Sequence, residues 1–133
     1  MHFSQDQRLF LMKTDPSGIQ IPVLYDYEVL VKLSYSNKEF EKRLLHIFIE
    51  TVPVSIAKLK SAFEQKDLAL LKATAHKLKT TVHSMGIQQL QEPVLALENT
   101  GHDALENPET VYAVAQVYTT LDAIVQEFKL RLT

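Results

Sequence analysis

Cysteine is absent from this chain of 133 residues, which excludes a disulfide framework and thiolate metal sites. Glycine is scarce, at three residues, and no low-complexity run occurs, which argues against a disordered or multidomain chain. No apolar run approaches the ~20 residues needed to span a bilayer, and no signal-peptide core follows Met1. Charge of neither sign dominates: the formal net charge is −2, which gives no support for nucleic-acid binding. No Gly-rich phosphate loop is present. The lack of cysteine is consistent with the cytosol, and the expectation is a cytoplasmic protein, a monomer, with neither a membrane nor a nucleic acid as partner. What is present, 46% hydrophobic and 23% charged residues, suits one compact domain.

The apolar residues recur with helical periodicity. Ser36, with Glu39 three residues later, predicts a capping box that opens a long helix. Its expected buried side is Phe40, Leu44, Ile47, Phe48 and Thr51, continuing through Ile56, Leu59 and Phe63. Pro53 lies inside that helix and is expected to kink it. A second helix, capped by Asp67, carries Leu68, Leu71, Ala75, Leu78, Val82 and Met85 as one stripe and ends near Gly86. A shorter helix carries Ile87, Leu90, Val94 and Leu97 and stops at Gly101, with Pro93 either kinking it or marking its true first turn. Asn107-Pro108-Glu109 starts the last helix, whose seam is Val111, Val114, Tyr118, Leu121, Val125, Phe128 and Leu132. A small helix over 27–33 is expected to cover one end. Four amphipathic helices with short connections imply an all-α fold, an antiparallel up-and-down four-helix bundle. Before it, Asp15-Pro16-Ser17-Gly18 is a turn signal and Ile19, Ile21 and Val23 alternate like a strand. Either 8–13 pairs with that strand as a hairpin or Ser4 caps a short helix.

The residues with chemistry lie on the second helix. At ~100° per residue His76 sits roughly 130° from the centre of its apolar stripe and so faces water. Its same-face neighbours are Lys72 and Ala73 one turn before, and Lys79 and Thr80 one turn after. Helical side chains lean toward the N-terminus, so Lys79 leans back toward His76. Ala69 and Ala73 leave the ring open to a docking surface. Between positions 66 and 79 stand four lysines and one acid, Asp67. A phosphoryl group brings about two negative charges and three strong acceptor oxygens, for which lysine is a suitable counter-charge. Neutral imidazole is a competent nucleophile near neutral pH.

Ala75, His76, Leu78, Lys79 and Gly86 together resemble the histidine phosphotransfer (HPt) domain family of multistep phosphorelays. In that family an alanine-histidine pair is followed by a hydrophobe at plus two, lysine at plus three, usually glycine at plus four, and glycine at plus ten. The resemblance implies that His76 is the phosphoacceptor, that Lys79 steadies the phosphoryl oxygens and that Gly86 ends the helix. It also implies a proline near the place of Pro53. Thr80 stands where glycine is usual, which bears on partner choice, and His83 at plus seven is outside the usual pattern. The resemblance covers about residues 25–132, dividing the chain into an extension over 1–24 and a bundle over 25–133. The implied function is a covalent carrier rather than a turnover enzyme. His76 accepts a phosphoryl group from a receiver-domain aspartate and passes it to another receiver. Response-regulator receivers, including that of a hybrid histidine kinase, are the expected partners, docking over Ala69, Lys72, Ala73, Thr80 and His83. The chain needs no cofactor of its own; magnesium is expected on the receiver, since no carboxylate cluster surrounds His76 in the sequence. The alternatives are a non-catalytic adaptor of the same fold, or a helical scaffold whose basic face binds an acidic protein.

Other constellations are weaker. His76 and His83 are two turns apart, too far for one ion without further ligands, and no Glu-x-x-His or His-Glu-x-x-His occurs. His2, His46 and His102 have no chemical company. Asp122 and Gln126 match an Asp-x-x-x-Gln spacing that arises easily by chance on a solvated face. Tyr25, Tyr27, Tyr112 and Tyr118 read as packing and rim residues. A sensor-kinase dimerisation domain usually has an acid directly after its histidine, whereas Lys77 follows His76.

Overall fold

The computed structural model describes residues 8–14 and 17–133. Two antiparallel strands, β1 (Arg8–Thr14) and β2 (Gln20–Asp26), precede five α-helices: α1 (Tyr27–Leu33), α2 (Lys38–Glu64), α3 (Leu68–Ser84), α4 (Gln91–Glu98) and α5 (Pro108–Leu132). Of the two expectations for the N-terminal stretch, the hairpin is the one found, with Arg8 opposite Asp26 and Thr14 opposite Gln20. Ser4 lies outside the described residues. The helices form the expected bundle: α2 packs on α3, α3 on α4, α4 on α5 and α5 back on α2, a closed ring of four. Helix α1 spans the expected residues and packs against α2 and β1. Tyr25 of β2 is wholly buried, with its ring edge-on to Phe128 at 5.8 Å, so the hairpin contributes to the bundle core.

Local signals set most helix ends. Asp67 caps α3, its side chain accepting from the Leu70 N–H at 3.1 Å. At the other end Gly86 takes φ 62°, where a Cβ would be strained. The Gly86 N–H then bonds the His83 carbonyl and the Ile87 N–H bonds the Val82 carbonyl. This is a Schellman motif, closed by the buried pair Val82 and Ile87. Pro108 opens α5 as its first residue, after Asn107. Pro93 falls in the first turn of α4, behind a 3-10 turn over Gln88–Leu90, so it marks a start and not a kink. Helix α2 runs unbroken across Pro53, whose missing N–H leaves the Ile49 carbonyl without its i+4 donor.

Three expectations are corrected. The cap of α2 is Asn37, not Ser36: Asn37 Oδ1 accepts from the Phe40 N–H at 3.1 Å, while Tyr35 and Ser36 take left-handed φ of 55° and 58° to turn the chain. The buried seam of α2 is offset by one residue over its first half. Leu45, Phe48 and Val52 face the core, whereas Phe40, Ile47 and Thr51 are exposed and Leu44 is half-buried. Apolar residues cover so much of this helix that two adjacent seams both satisfy a three-four spacing, and only packing against α3 and α5 selects one. In α5, Val111 is exposed and Tyr118 half-buried, while Thr110, Ala113, Val117, Thr120 and Ile124 are buried. A helix pressed between two neighbours, α2 and α4, buries a wider arc than one seam. The α3 stripe is as expected: Leu71, Ala75, Leu78, Val82 and Met85 are buried and Leu68 half-buried.

Candidate functional site

Because Ala75 and Leu78 point into the core, His76 and Lys77 between them are turned outward. The His76 side chain is 68% exposed, midway along a helix whose ends are both pinned. From this ring the two sides of α3 differ. By helical geometry Lys72 and Lys79 lie to one hand of His76 and Ala73, Lys77 and Thr80 to the other.

On the first side stands α4. Its last residue, Glu98, is not among the residues singled out from sequence. Glu98 Oε2 pairs with His76 Nδ1, and Glu98 Oε1 accepts from Lys79 Nζ at 2.8 Å. The Glu98 side chain is 19% exposed. The hydrogen bond from Lys79, then that from His76, holds its carboxyl below the usual carboxylate range. This single carboxylate comes from 22 residues further along the chain, carried there by the antiparallel return of α4 along α3. A glutamate closing a short helix, one turn after Val94 and next to Leu97, was the one trace of it in the sequence, and nothing there aimed it at His76.

On the second side stands α2. Ala73, Thr74 and Lys77 line a groove of about 530 Å³ against Val52, Val54 and Lys58. Thr80 lines a second hollow of about 250 Å³, with Leu33, Leu44, Ile47 and Met85. Thr51, Val52 and Thr81 border both, so the two hollows adjoin along the α2–α3 seam. Ala69, Lys72 and His83 are exposed on the His76 face of α3. The structure therefore collects the sequence-picked residues on one helix face but splits them between a charged flank and an apolar one.

The remaining histidines and the alternatives stay apart from this site. His46 and His102 are exposed, as are Asp122 and Gln126 on α5. His2 lies outside the described residues, and so does the side chain of Tyr27. Among the described residues no group of three His, Asp or Glu side chains is placed to hold a metal ion, and no helix is long and apolar enough to cross a membrane.

The helical bundle thus displays His76, and seven residues further on His83, from the core helix α3. The family model of the Hpt domain matches residues 43–127, from the second turn of α2 into α5. The chain belongs to the Hpt domain family. No curated protein and no solved structure matches it.

Proposed function

We propose that this Hpt-domain chain is a phosphorelay intermediate that takes a phosphoryl group onto His76 from a receiver aspartate and delivers it to a second receiver. The observation that carries the reading is an open imidazole, fixed on a core helix inside the matched region, with one ring nitrogen engaged by Glu98 and the other turned outward. A carrier of this kind must form and break the same bond with similar ease, and therefore needs an accessible, weakly activated nucleophile rather than a closed pocket. Lys72 and Lys79 bring positive charge beside the two negative charges of the incoming group. The receiver supplies the magnesium and the aspartate; this chain supplies the nitrogen. Ala69, Ala73, Thr80 and His83 form the floor on which the receiver docks, and the apolar hollows along α2 extend that floor away from the charged flank.

Incubation with a panel of receivers carrying labelled aspartyl phosphate tests the proposal. Label should move to this chain as an acid-labile, base-stable phosphoramidate and map to His76. Binding of a receiver without any transfer of label would instead identify a non-catalytic adaptor, and failure of every receiver to bind or transfer would end the phosphorelay reading.

A further inference from the structure

Charge is divided unevenly along this fold. Residues 66–84 hold four lysines and one acid, whereas residues 85–133 hold seven acids and two bases, both in the last turn of α5. Three of those acids are answered within the chain: Glu98 by Lys79 and His76, Glu106 by Lys66, and Glu127 by Arg131. Glu92 and Glu109 have no such counter-charge among the described residues. Both line a groove of about 410 Å³ between α4 and α5, in which no lysine, arginine or histidine takes part. They stand on opposite walls. Glu92 is on α4 with Ala96 one turn on, and Glu109 is on α5 with Tyr112 and Gln116 further along the same face. Ala96 and Glu98 are roughly 200° apart around α4, so the groove opens away from the flank that Glu98 presents to His76.

We propose that the α4–α5 groove docks a basic segment of a second protein. A lysine or arginine side chain is an aliphatic stem with a cationic head. The Tyr112 ring, 44% exposed, offers stem and head an aromatic face, and the carboxylates on the two walls supply the opposite charge. The side-chain amides of Gln88 and Gln116 both donate and accept, as the peptide groups of an extended chain do. The anionic phosphoryl site of a receiver is repelled by this groove and attracted to the lysines of α3, so the two faces sort partners by charge. Because α4 stands between them, both faces can be occupied together, and the basic partner holds the carrier without covering the imidazole. This docking goes beyond phosphoryl transfer and does not require it.

Fluorescence anisotropy at low salt, with a short labelled peptide of alternating arginine and glycine, tests the proposal; the same peptide with citrulline for arginine is the neutral control. The arginine peptide should bind and the citrulline peptide should not. Glu92→Gln and Glu109→Gln should each weaken binding about threefold to fivefold, the scale of one exposed ion pair, and Tyr112→Ala about threefold. Backbone amide shifts should move along 88–96 and 109–116 and not on α3. Asp122→Asn makes the same charge change at an exposed site of α5 outside the groove, and should leave the affinity as in wild type. Equal weakening by Asp122→Asn, or shifts centred on α2 and α3, would overturn the proposal, because either marks diffuse attraction rather than a groove. So would an absence of binding, or free arginine binding as tightly as the peptide. Transfer from a phosphorylated receiver to His76 should run at the same rate with the peptide bound, and competition between the two would also overturn it. Peptide affinity is read without any receiver, so a chain that never accepted phosphate would fail the phosphorelay reading while the groove was still judged.

Discussion

The α4 flank and the α2 flank of His76 offer a partner very different surfaces. Toward α4 the neighbours are charged and already satisfied by each other, Lys79 by Glu98 and Glu98 by the ring. Toward α2 they are small or apolar, around two adjoining hollows. An arrangement of charges fixed by partners within the chain changes little when a second protein approaches, so it suits chemistry at the ring. Apolar surface gains only when water is removed from it, so it suits docking. The difference teaches that the residues around one histidine need not share one role, although a helical wheel groups them all as its neighbours.

The largest expected effect lies on neither flank. His76→Gln should abolish labelling by a phosphorylated receiver while circular dichroism and thermal melting stay close to wild type, because the side chain is solvent-facing. His83→Gln, on the same face but beyond the reach of Glu98, should still be labelled. Loss of labelling in His83→Gln alone would move the acceptor.

The charged flank comes next. Lys79→Ala should slow transfer by roughly tenfold or more, corresponding to a contact on the order of 1.5–3 kcal/mol. Lys72→Ala should cost less, because a helical side chain leans toward the N-terminus and so away from His76. Quench-flow rates for the two variants decide it, and a larger loss at Lys72 would reverse the assignment of the catalytically useful cation.

On the apolar flank the change should be a gain. Thr80→Gly removes a side chain at the lip of the hollow that Thr80 shares with Leu44 and Ile47, while weakening the helix by up to about 1 kcal/mol. Transfer rates across a receiver panel, measured where both proteins are folded, should rise or extend to more receivers. Unchanged rates would make Thr80 a surface residue without influence on partner choice.

The smallest effect is on stability and sharpens the charged side alone. The Glu98 carboxyl is held low by Lys79 and His76 in the folded state. A depressed carboxylate contributes stability above its unfolded value, about pH 4.3, and loses it as the pH falls through the lower folded value. The difference in melting temperature between wild type and Glu98→Gln should therefore be positive near pH 6 and shrink below pH 4. Scanning calorimetry over that range checks the sign, and a difference that grows in acid would mean that the ionised carboxylate is not what stabilises the contact.

Much of α3 was legible from residue order. Its stripe, the Asp67 cap, the Gly86 exit and the outward aim of His76 all depend on relations within about one turn of helix, which the chain carries wherever it packs. Helix α2 was less legible for a physical reason. With Phe40, Leu44 and Ile47 one position ahead of Glu41, Leu45 and Phe48, two seams compete and neither is excluded by periodicity. Its cap moved from Ser36 to Asn37 because the turn after α1 needed two left-handed residues in succession.

The sequence by itself thus determined that a helical bundle would show one histidine to solvent between lysines, since helix periodicity and capping are local. Only the tertiary structure decided which carboxylate meets that histidine, and which of its neighbours stand against charge and which against apolar surface. Glu98 reaches His76 because α4 returns antiparallel along α3, and the phase and register of two packed helices are set by how their side chains interlock.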